Sequence, residues 1–436
     1  MANADNAEAP ARFTRRAISL LMPSAATASA SQALIPVLAA VLARTTDAET
    51  AISGFAVAFS IAIMTGLPYV RVQQLTLVFL NDVNSLPTIR RFVLRWAALS
   101  TLLIAVVAFT PLGGAILSGL FSVEPDVQRH AASALRALAP FPGLLILRAH
   151  LHGVALRAEK PLIVWIGTFA GSAAVAITVI TLVATGTVTG ALAGGIAFST
   201  GAAIEVLLLL VLTRGVNFPG SGQRSVTIAE MTKFFWPLLV SALAPTITQP
   251  VINAGMARAA EATVSIAAVS VAFGLFQTVS AATNGVQNAA LALLALRFSE
   301  ARVLRFMLAV GLLTTAATFV IGFVPPATEL VLGDILGADG RLFQLARFAL
   351  RLLSLLPVAM VLEQVYAARL MRARDTKPIV IINIARIIVL ATWVVTTINA
   401  TSFTGATVGA GAVALTLLIE ALMTTFYARR HRARAT

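Results

Sequence analysis

Residues 229–257, AEMTKFFWPLLVSALAPTITQPVINAGMA, lie over residues 15–43, RRAISLLMPSAATASASQALIPVLAAVLA, at a constant offset of 214. Pro237 falls on Pro23, Pro250 on Pro36, and Ala257-Arg258 on Ala43-Arg44. The register continues with Val57-Ala58-Phe59 on Val271-Ala272-Phe273, Gln73 on Gln287, and Arg91-Phe92 on Arg305-Phe306. After one inserted residue it holds through Arg136 and Arg351, Pro142 and Pro357, Arg157 and Arg372, Ile204-Glu205 and Ile419-Glu420, and Arg214 and Arg429. Chance does not keep one register from Pro23 to Arg214, so the chain is read as two similar halves.

The solvent of each half follows from composition. Hydrophobic residues fill 58% of 436 positions and charged ones 11%, against about 25% charged in soluble domains. A membrane-spanning helix needs about 20 mostly apolar residues, because the hydrocarbon core is about 30 Å thick. Twelve stretches qualify: 17–43, 51–80, 92–119, 130–157, 161–185, 190–214, 229–257, 263–296, 302–325, 342–370, 378–398 and 404–428. The first is too long for a cleaved signal and has a repeat partner, so it stays in the mature protein. An even number of spans per half gives both halves one orientation, related by a pseudo-two-fold axis along the membrane normal. The expected fold is an all-α membrane protein of twelve transmembrane helices in two six-helix bundles. Its expected divisions are a tail (1–16), an N-terminal bundle (17–214), a linker (215–228), a C-terminal bundle (229–428) and a basic tail (429–436).

Short cytoplasmic loops accumulate Lys and Arg. With the N-terminus inside, cytoplasmic segments and adjoining helix ends hold 22 of the 32 basic residues, whereas the outer loops hold Arg44, Arg129, Arg258 and Arg341 beside eight of the 18 acids. Both termini are therefore expected in the cytoplasm of a bacterium, with the body in its plasma membrane. Topology and anionic lipid account for the net charge of +14, so no nucleic-acid partner is expected. Cysteine is absent, which excludes disulfides and thiolate metal sites. There is no phosphate-cradling Gly-Lys loop, zinc helix or serine elbow. The chain reads as neither an enzyme nor an ATP-driven pump. No cofactor and no obligate protein partner are expected; a coupling ion, proton or sodium, is possible.

An ionisable group at the bilayer centre costs about 3 kcal/mol on insertion scales and needs a partner or a wet cavity. The spans hold Arg71, Arg136, Arg148, Arg347, Arg351 and Arg386 against Glu205, Glu363 and Glu420, with His150 and His152. Arg386 and Glu420 each lie nine residues from a helix end, at Lys377 and Arg429, on adjacent spans, and read as a structural ion pair. Glu205 is the repeat equivalent of Glu420, but Gly171 stands where its arginine would be. Glu205 is thus paired elsewhere, protonated, or a proton-coupling site. Arg148 and Glu363 are repeat equivalents of opposite charge at matched depth and are expected to form a cytoplasmic gate when the cleft opens outward. His152 shares a helical face with Arg148, either as a helix-helix hydrogen-bonding group or as a pH sensor. Pro23, Pro36, Pro237, Pro245 and Pro250, with Gly66 and Pro68, mark bends that serve as hinges or as static kinks.

The run Phe235-Trp236-Pro237-Leu238, with Pro250-Val251-Ile252-Asn253, Arg258, Asp334-Ile335-Leu336-Gly337, Arg351, Arg386-Ile387-Ile388-Val389-Leu390 and Glu420, resembles the progressive ankylosis (ANKH) family. Gln32-Ala33-Leu34, Thr65-Gly66 and Leu77-Val78-Phe79 add to it from the first half. The resemblance covers nearly the whole chain and is clearest from residue 234 onward. It implies a V-shaped two-bundle fold of the multidrug and toxin extrusion (MATE) type, and export of small polyanions such as citrate, pyrophosphate or nucleotides. Ser31 stands where vertebrate members carry an acidic residue. In that superfamily the first, second, seventh and eighth spans line the cleft. Gln32, Arg71, Gln73, Gln74, Asn253, Asn284, Gln287 and Asn288 thereby become the expected substrate-binding residues, with Gln277 of the eighth span on the same expected path. A guanidinium among amides can replace the hydration of a carboxylate or phosphate; helix-to-helix bonding is the other role open to the amides. The expected function is alternating-access export of a small anion by a protein in contact with membrane lipids. Cationic drug efflux, lipid-linked substrate flipping and a non-transporting scaffold or receptor are the alternatives.

Overall fold

The computed structural model describes residues 10–45, 47–66, 69–80, 85–121, 123–158, 160–216, 227–295, 298–372, 377–399 and 403–435. Most of the expected linker and Pro68 lie outside them. Proline lacks a backbone donor and collides with the carbonyl four residues back. Pro36 accordingly splits the first expected span into α1 (Pro10–Gln32) and α2 (Leu34–Leu42) around Ala33. The second span splits at Gly66 into α3 (Ala48–Thr65) and α4 (Tyr69–Phe79). Then come α5 (Leu86–Phe109) and α6 (Pro111–Ala115), which runs into a π-helical turn, Ile116–Leu120. α7 (Pro125–Ala137) and α8 (Phe141–Arg157) meet at 44° beside Pro140 and Pro142, before α9 (Pro161–Ala184) and α10 (Gly190–Leu212).

The second half opens with α11 (Ile228–Met256), whose first turn is held by a reciprocal cap between Thr227 and Glu230. α11 runs without interruption through Pro237, Pro245 and Pro250, so only the first-half counterpart of this span is broken. α12 (Ala262–Val279) passes through a 3-10 segment, Ser280–Gly285, into α13 (Val286–Ala295). α14 (Glu300–Phe323) and α15 (Pro325–Thr328) lead to a second π-helical turn, Glu329–Ile335. α16 (Gly340–Leu353) and α17 (Leu356–Arg372) break at Ser354-Leu355, ahead of Pro357. α18 (Lys377–Asn399) and α19 (Gly405–Ala435) complete the chain. The duplication thus extends to the defects: the 65–69 break matches the 280–285 segment, 138–140 matches 354–355, and each half has one π turn.

No strand occurs among the described residues, only a bridge between Ala260 and Thr404. Among the same residues nine helical stretches are long and apolar enough to cross a membrane, and the bent α7–α8 pair makes ten. The protein is therefore a multi-pass membrane protein. The expected spans outside that set are 17–43, broken after Gln32, and 229–257, which α11 covers with one helix. Burial separates central from peripheral helices. The apolar windows of α9, α14 and α18 are only 28%, 28% and 22% buried, whereas those of α3 and α12 are 61% buried. The exposed faces of the first group, Ile177, Leu313 and Ile388 among them, are those suited to lipid.

α3 and α12 join the halves at the end assigned to the outside. Leu38, Ile52 and Phe55 share one buried cluster with Ile252, Met256 and Ile266. Ser53 Oγ donates to the Thr263 carbonyl at 2.6 Å, and Thr263 Oγ1 donates to Glu124 Oε2 at 2.7 Å. A repeated latch is added there. Arg44 donates to the Ala40 carbonyl and, at 3.2 Å, to Ile335 O in the π turn of the opposite half. Its equivalent Arg258 donates to Ala254 O at 2.7 Å and to Gly119 O in the other π turn at 2.9 Å. Arg341 holds the exposed Glu261 carboxylate in a two-toothed pair at 2.6 and 2.7 Å, which keeps that carboxyl below the usual carboxylate range.

At the opposite end the first helix of each half is exchanged. Phe13, Ala17 and Leu21 of α1 pack on Val286, Leu293, Met307 and Val361 of the second half. Met231, Phe235 and Leu239 of α11 pack on Val72, Leu75, Phe92 and Ile146 of the first. Sequence boundaries alone put α1 wholly with the first half. If the α3–α12 contact is as described, replacing Ser53 and Thr263 by cysteine in this cysteine-free chain will let a short bifunctional thiol reagent join them. Mass spectrometry should find the cross-linked peptides in the double variant and in neither single one.

Candidate functional site

A cavity of about 390 Å³ lies between the halves. Ile35, Leu38, Phe55, Phe59, Ile63, Ile252, Phe273 and Leu417 make its wall mostly apolar, and Ser60, Thr248, Ser270 and Thr416 add hydroxyls. Three carboxamides reach it from three helices: Gln32 of α1, Gln249 of α11 and Gln277 of α12. Gln32 and Gln277 make no hydrogen bond among the described residues, so their donors and acceptors are uncommitted. Close approach of the halves closes one side of the cavity. A Cβ on Gly274 would stand 2.8 Å from Ile35 Cγ2 and 3.2 Å from Pro36 Cδ.

Arg386 of α18 is the one charged side chain among the described residues that line the cavity. Its Nη1 donates to Glu420 Oε1 of α19 at 2.6 Å. Its buried Nε has no acceptor among the described residues. Arg386 and Glu420 are paired as expected, and the arginine, though not Glu420, is among the residues that line the cavity.

The equivalent carboxylate in the first half is solved differently. Glu205 of α10 is 3% exposed, and it receives Arg148 Nη1 at 3.2 Å, His152 Nε2 at 3.1 Å and Thr168 Oγ1 at 3.2 Å. Gly171 makes the room. A Cβ there would lie 2.8 Å from Glu205 Cβ and 2.9 Å from its Oε2. The arginine that α18 supplies in the second half is thus supplied by α8 in the first. His150 points elsewhere, its Nδ1 lying 3.0 Å from Thr76 Oγ1.

Of the expected substrate-path residues whose side chains are described, Gln32 and Gln277 line the cavity. Arg71, Gln73 and Gln74 sit on α4 away from it, with Arg71 Nη1 donating to Gln74 Oε1 at 3.4 Å. Asn253 is fully buried and ties α11 to α3, its Nδ2 donating to Ala56 O at 3.3 Å while Gln249 Nε2 donates to its Oδ1 at 3.4 Å. Asn284 is exposed in the 3-10 segment, and the backbone N–H of Gln287 donates to Gln364 Oε1 at 3.2 Å. The side chain of Asn288 lies outside the described residues. Arg148 and Glu363 are not joined: Arg148 is engaged by Glu205, and Glu363 of α17 stands in electrostatic reach of Arg386 and Glu420. The gate expected from their opposite charges is not formed in this conformation: Arg148 is held by Glu205 within its own half, and no ion pair joins it to Glu363 among the described residues. Gln277 was expected on the substrate path, whereas Gln249 was legible only as a polar position within an apolar span. Gln249 shares a helical face with Asn253, four residues on.

The fold as a whole is similar to those of solved membrane transporters. The chain is similar to the inward-facing conformation of a multidrug resistance MATE family transporter of the MOP superfamily, with 14% identity, a TM-score of 0.63, and coverage of 97% of this chain and 94% of that one. It is similar to a MOP superfamily transporter from Pyrococcus furiosus, described under reverse polarity of its binding pocket, with 14% identity, a TM-score of 0.62 and 96% of each chain covered. A eukaryotic MATE transporter matches at 14% identity and a TM-score of 0.61, over 97% of this chain and all of that one (100%). The fold is therefore that of the MATE transporters. Within it the chain belongs to the progressive ankylosis protein family, whose model matches residues 11–285. The match spans the whole first half and ends at Gly285, so the family motifs noted from Asp334 to Glu420 lie beyond it.

Removing one partner of a buried ion pair costs about 3–5 kcal/mol, because the other charge stays buried alone. Arg148→Ala should therefore lower the unfolding temperature in detergent strongly, whereas Arg148→Ala with Glu205→Gln should recover most of the loss.

Proposed function

We propose that this protein exports a small organic or phosphate-containing anion, of the citrate, pyrophosphate or nucleotide class, by alternating access. The observation that carries the reading is the sign of the cavity. Its one lining charge among the described residues is the Arg386 guanidinium, set among the uncommitted amides of Gln32 and Gln277 and an apolar wall. A guanidinium fork matches carboxylate and phosphate oxygens, and amides complete the shell that water would supply. Cationic drug efflux calls for carboxylates lining the cavity, and none of the described residues that line this one is a carboxylate. The reversed pocket polarity attributed to the Pyrococcus furiosus transporter of the same fold is in keeping with a superfamily member handling a different charge class.

In this reading twelve spans form two six-helix bundles, residues 17–214 and 229–428, joined by a cytoplasmic linker over 215–228. The bundles rock about the central site, with both termini in the cytoplasm and the body in a bacterial plasma membrane. The contacts of Ser53, Thr263, Arg44 and Arg258 then describe a state closed toward the outside, in which Arg148 and Glu363 stand apart as the expected gate requires. Bundles of like orientation place substrate at their interface, where the cavity lies. The energy comes from an ion gradient or from that of the substrate.

The test is flux of labelled citrate or pyrophosphate into proteoliposomes. Wild-type protein should transport at least one of them. Arg386→Gln paired with Glu420→Gln removes both charges while keeping the shapes, so it should fold with near-native stability and lose at least tenfold of the flux. Flux of an organic cation with no anion flux would reject the reading.

A further inference from the structure

The C-terminal half holds one more carboxylate than its arginine can satisfy. Arg386 pairs with Glu420 at 2.6 Å. Glu363, one helix away on α17, is in electrostatic reach of both, yet makes no hydrogen bond or ion pair among the described residues. The first half lacks this surplus. Arg148 takes the position equivalent to Glu363, Gly171 that of Arg386, and Ala367 stands opposite His152. There one buried acid is matched by Arg148, His152 and Thr168. Only the half whose arginine lines the cavity therefore carries two acids for one cation.

Most other charges around Glu363 are engaged elsewhere; Arg347 of α16, whose buried Nε has no acceptor among the described residues, is the exception, and it is not among the charges acting on Glu363. On the helices packed against α17 and α19, Glu300 faces Arg369 at 3.7 Å, Arg341 holds Glu261, and Arg351 donates to Gly322 O at 2.9 Å. Arg302 lies over the Phe13 ring and Arg305 donates to Ala301 O. α12, α13 and the 3-10 segment carry no charge. The charged groups acting on Glu363 are Glu420 and Arg386.

We propose that Glu363 and Glu420 form a proton-binding pair that competes with the transported anion for Arg386, so that an anion entering the cavity takes up a proton. This rests on the anion reading above. In the empty site one guanidinium and two carboxylates are neutral when the pair holds one proton. When the anion takes Arg386, Glu420 loses its cation, and a low-dielectric wall does not keep a bare carboxylate. A second proton, taken from the solvent, leaves both carboxyls uncharged: one Arg–Glu ion pair is exchanged for one Arg–anion contact plus one carboxyl O–H. Anion affinity then falls as pH rises, because the bound state holds more protons than the empty one.

The test uses the full chain in nanodiscs, titrated calorimetrically with citrate and with pyrophosphate in two buffers of different ionisation heat. Wild type should take up about one proton more per anion than Glu363→Gln with Glu420→Gln, and its affinity should fall about tenfold per pH unit relative to that variant. Equal proton uptake by the two would overturn the coupling while leaving anion binding intact. Failure of wild type to bind either anion, or undiminished binding by Arg386→Gln, would overturn the anion reading and the coupling with it. Should the double variant not fold, wild-type proteoliposomes decide alone: citrate flux must carry protons in the same direction, reported by a lumenal pH dye, and citrate flux with no pH change overturns the coupling.

Discussion

A charge in a low-dielectric membrane body has to be answered by another charge, by hydrogen bonds or by water, and that constraint organises this protein. Its two halves descend from one pattern and keep a glutamate at the same place, Glu205 and Glu420. Each glutamate meets an arginine from a neighbouring helix, but from a different one in each half. In the first half the answer is complete and buried. In the second it is made at the edge of the cavity by a guanidinium with bonding capacity left over.

That asymmetry separates scaffold from site. α8, α9 and α10 gather around Glu205, with Gly171 allowing the helices to close on it. α17, α18 and α19 gather around Arg386 more loosely, with Glu363 left unmatched. The halves meet through α3 and α12, and Arg44 and Arg258 each reach across to carbonyls of the other half's π turn, where the helical bonding pattern slips. A latch built twice by one duplicated residue closes one end of the cavity in a symmetric way, while the charge inside remains one-sided.

Much of the architecture was legible in the chain because duplication, apolar length and proline position act locally. Pro36, Gly66, Pro142 and Pro357 lie at or just beyond breaks in the helices. The ion pair of Arg386 and Glu420 followed from equal distance to helix ends. The site was less legible, since depth within a span does not tell which way a side chain turns. Arg71, Gln73 and Gln74 had suitable chemistry but lie on α4 away from the cavity, and Asn253 is spent on Ala56. Gln277, expected on the path, does line the cavity, and so does Gln249, whose place there had no sequence marker beyond its polarity. The partner of Glu205 escaped the repeat logic because its arginine had moved to another helix.

The most direct measurement is a cryo-electron microscopy map of the protein in nanodiscs containing pyrophosphate. Density for the anion within about 3 Å of the Arg386 guanidinium, flanked by Gln32, Gln249 and Gln277, is the predicted result. Anion density beside Arg71 on α4, or a central cavity that stays empty at saturating pyrophosphate while the protein transports it, would contradict the account.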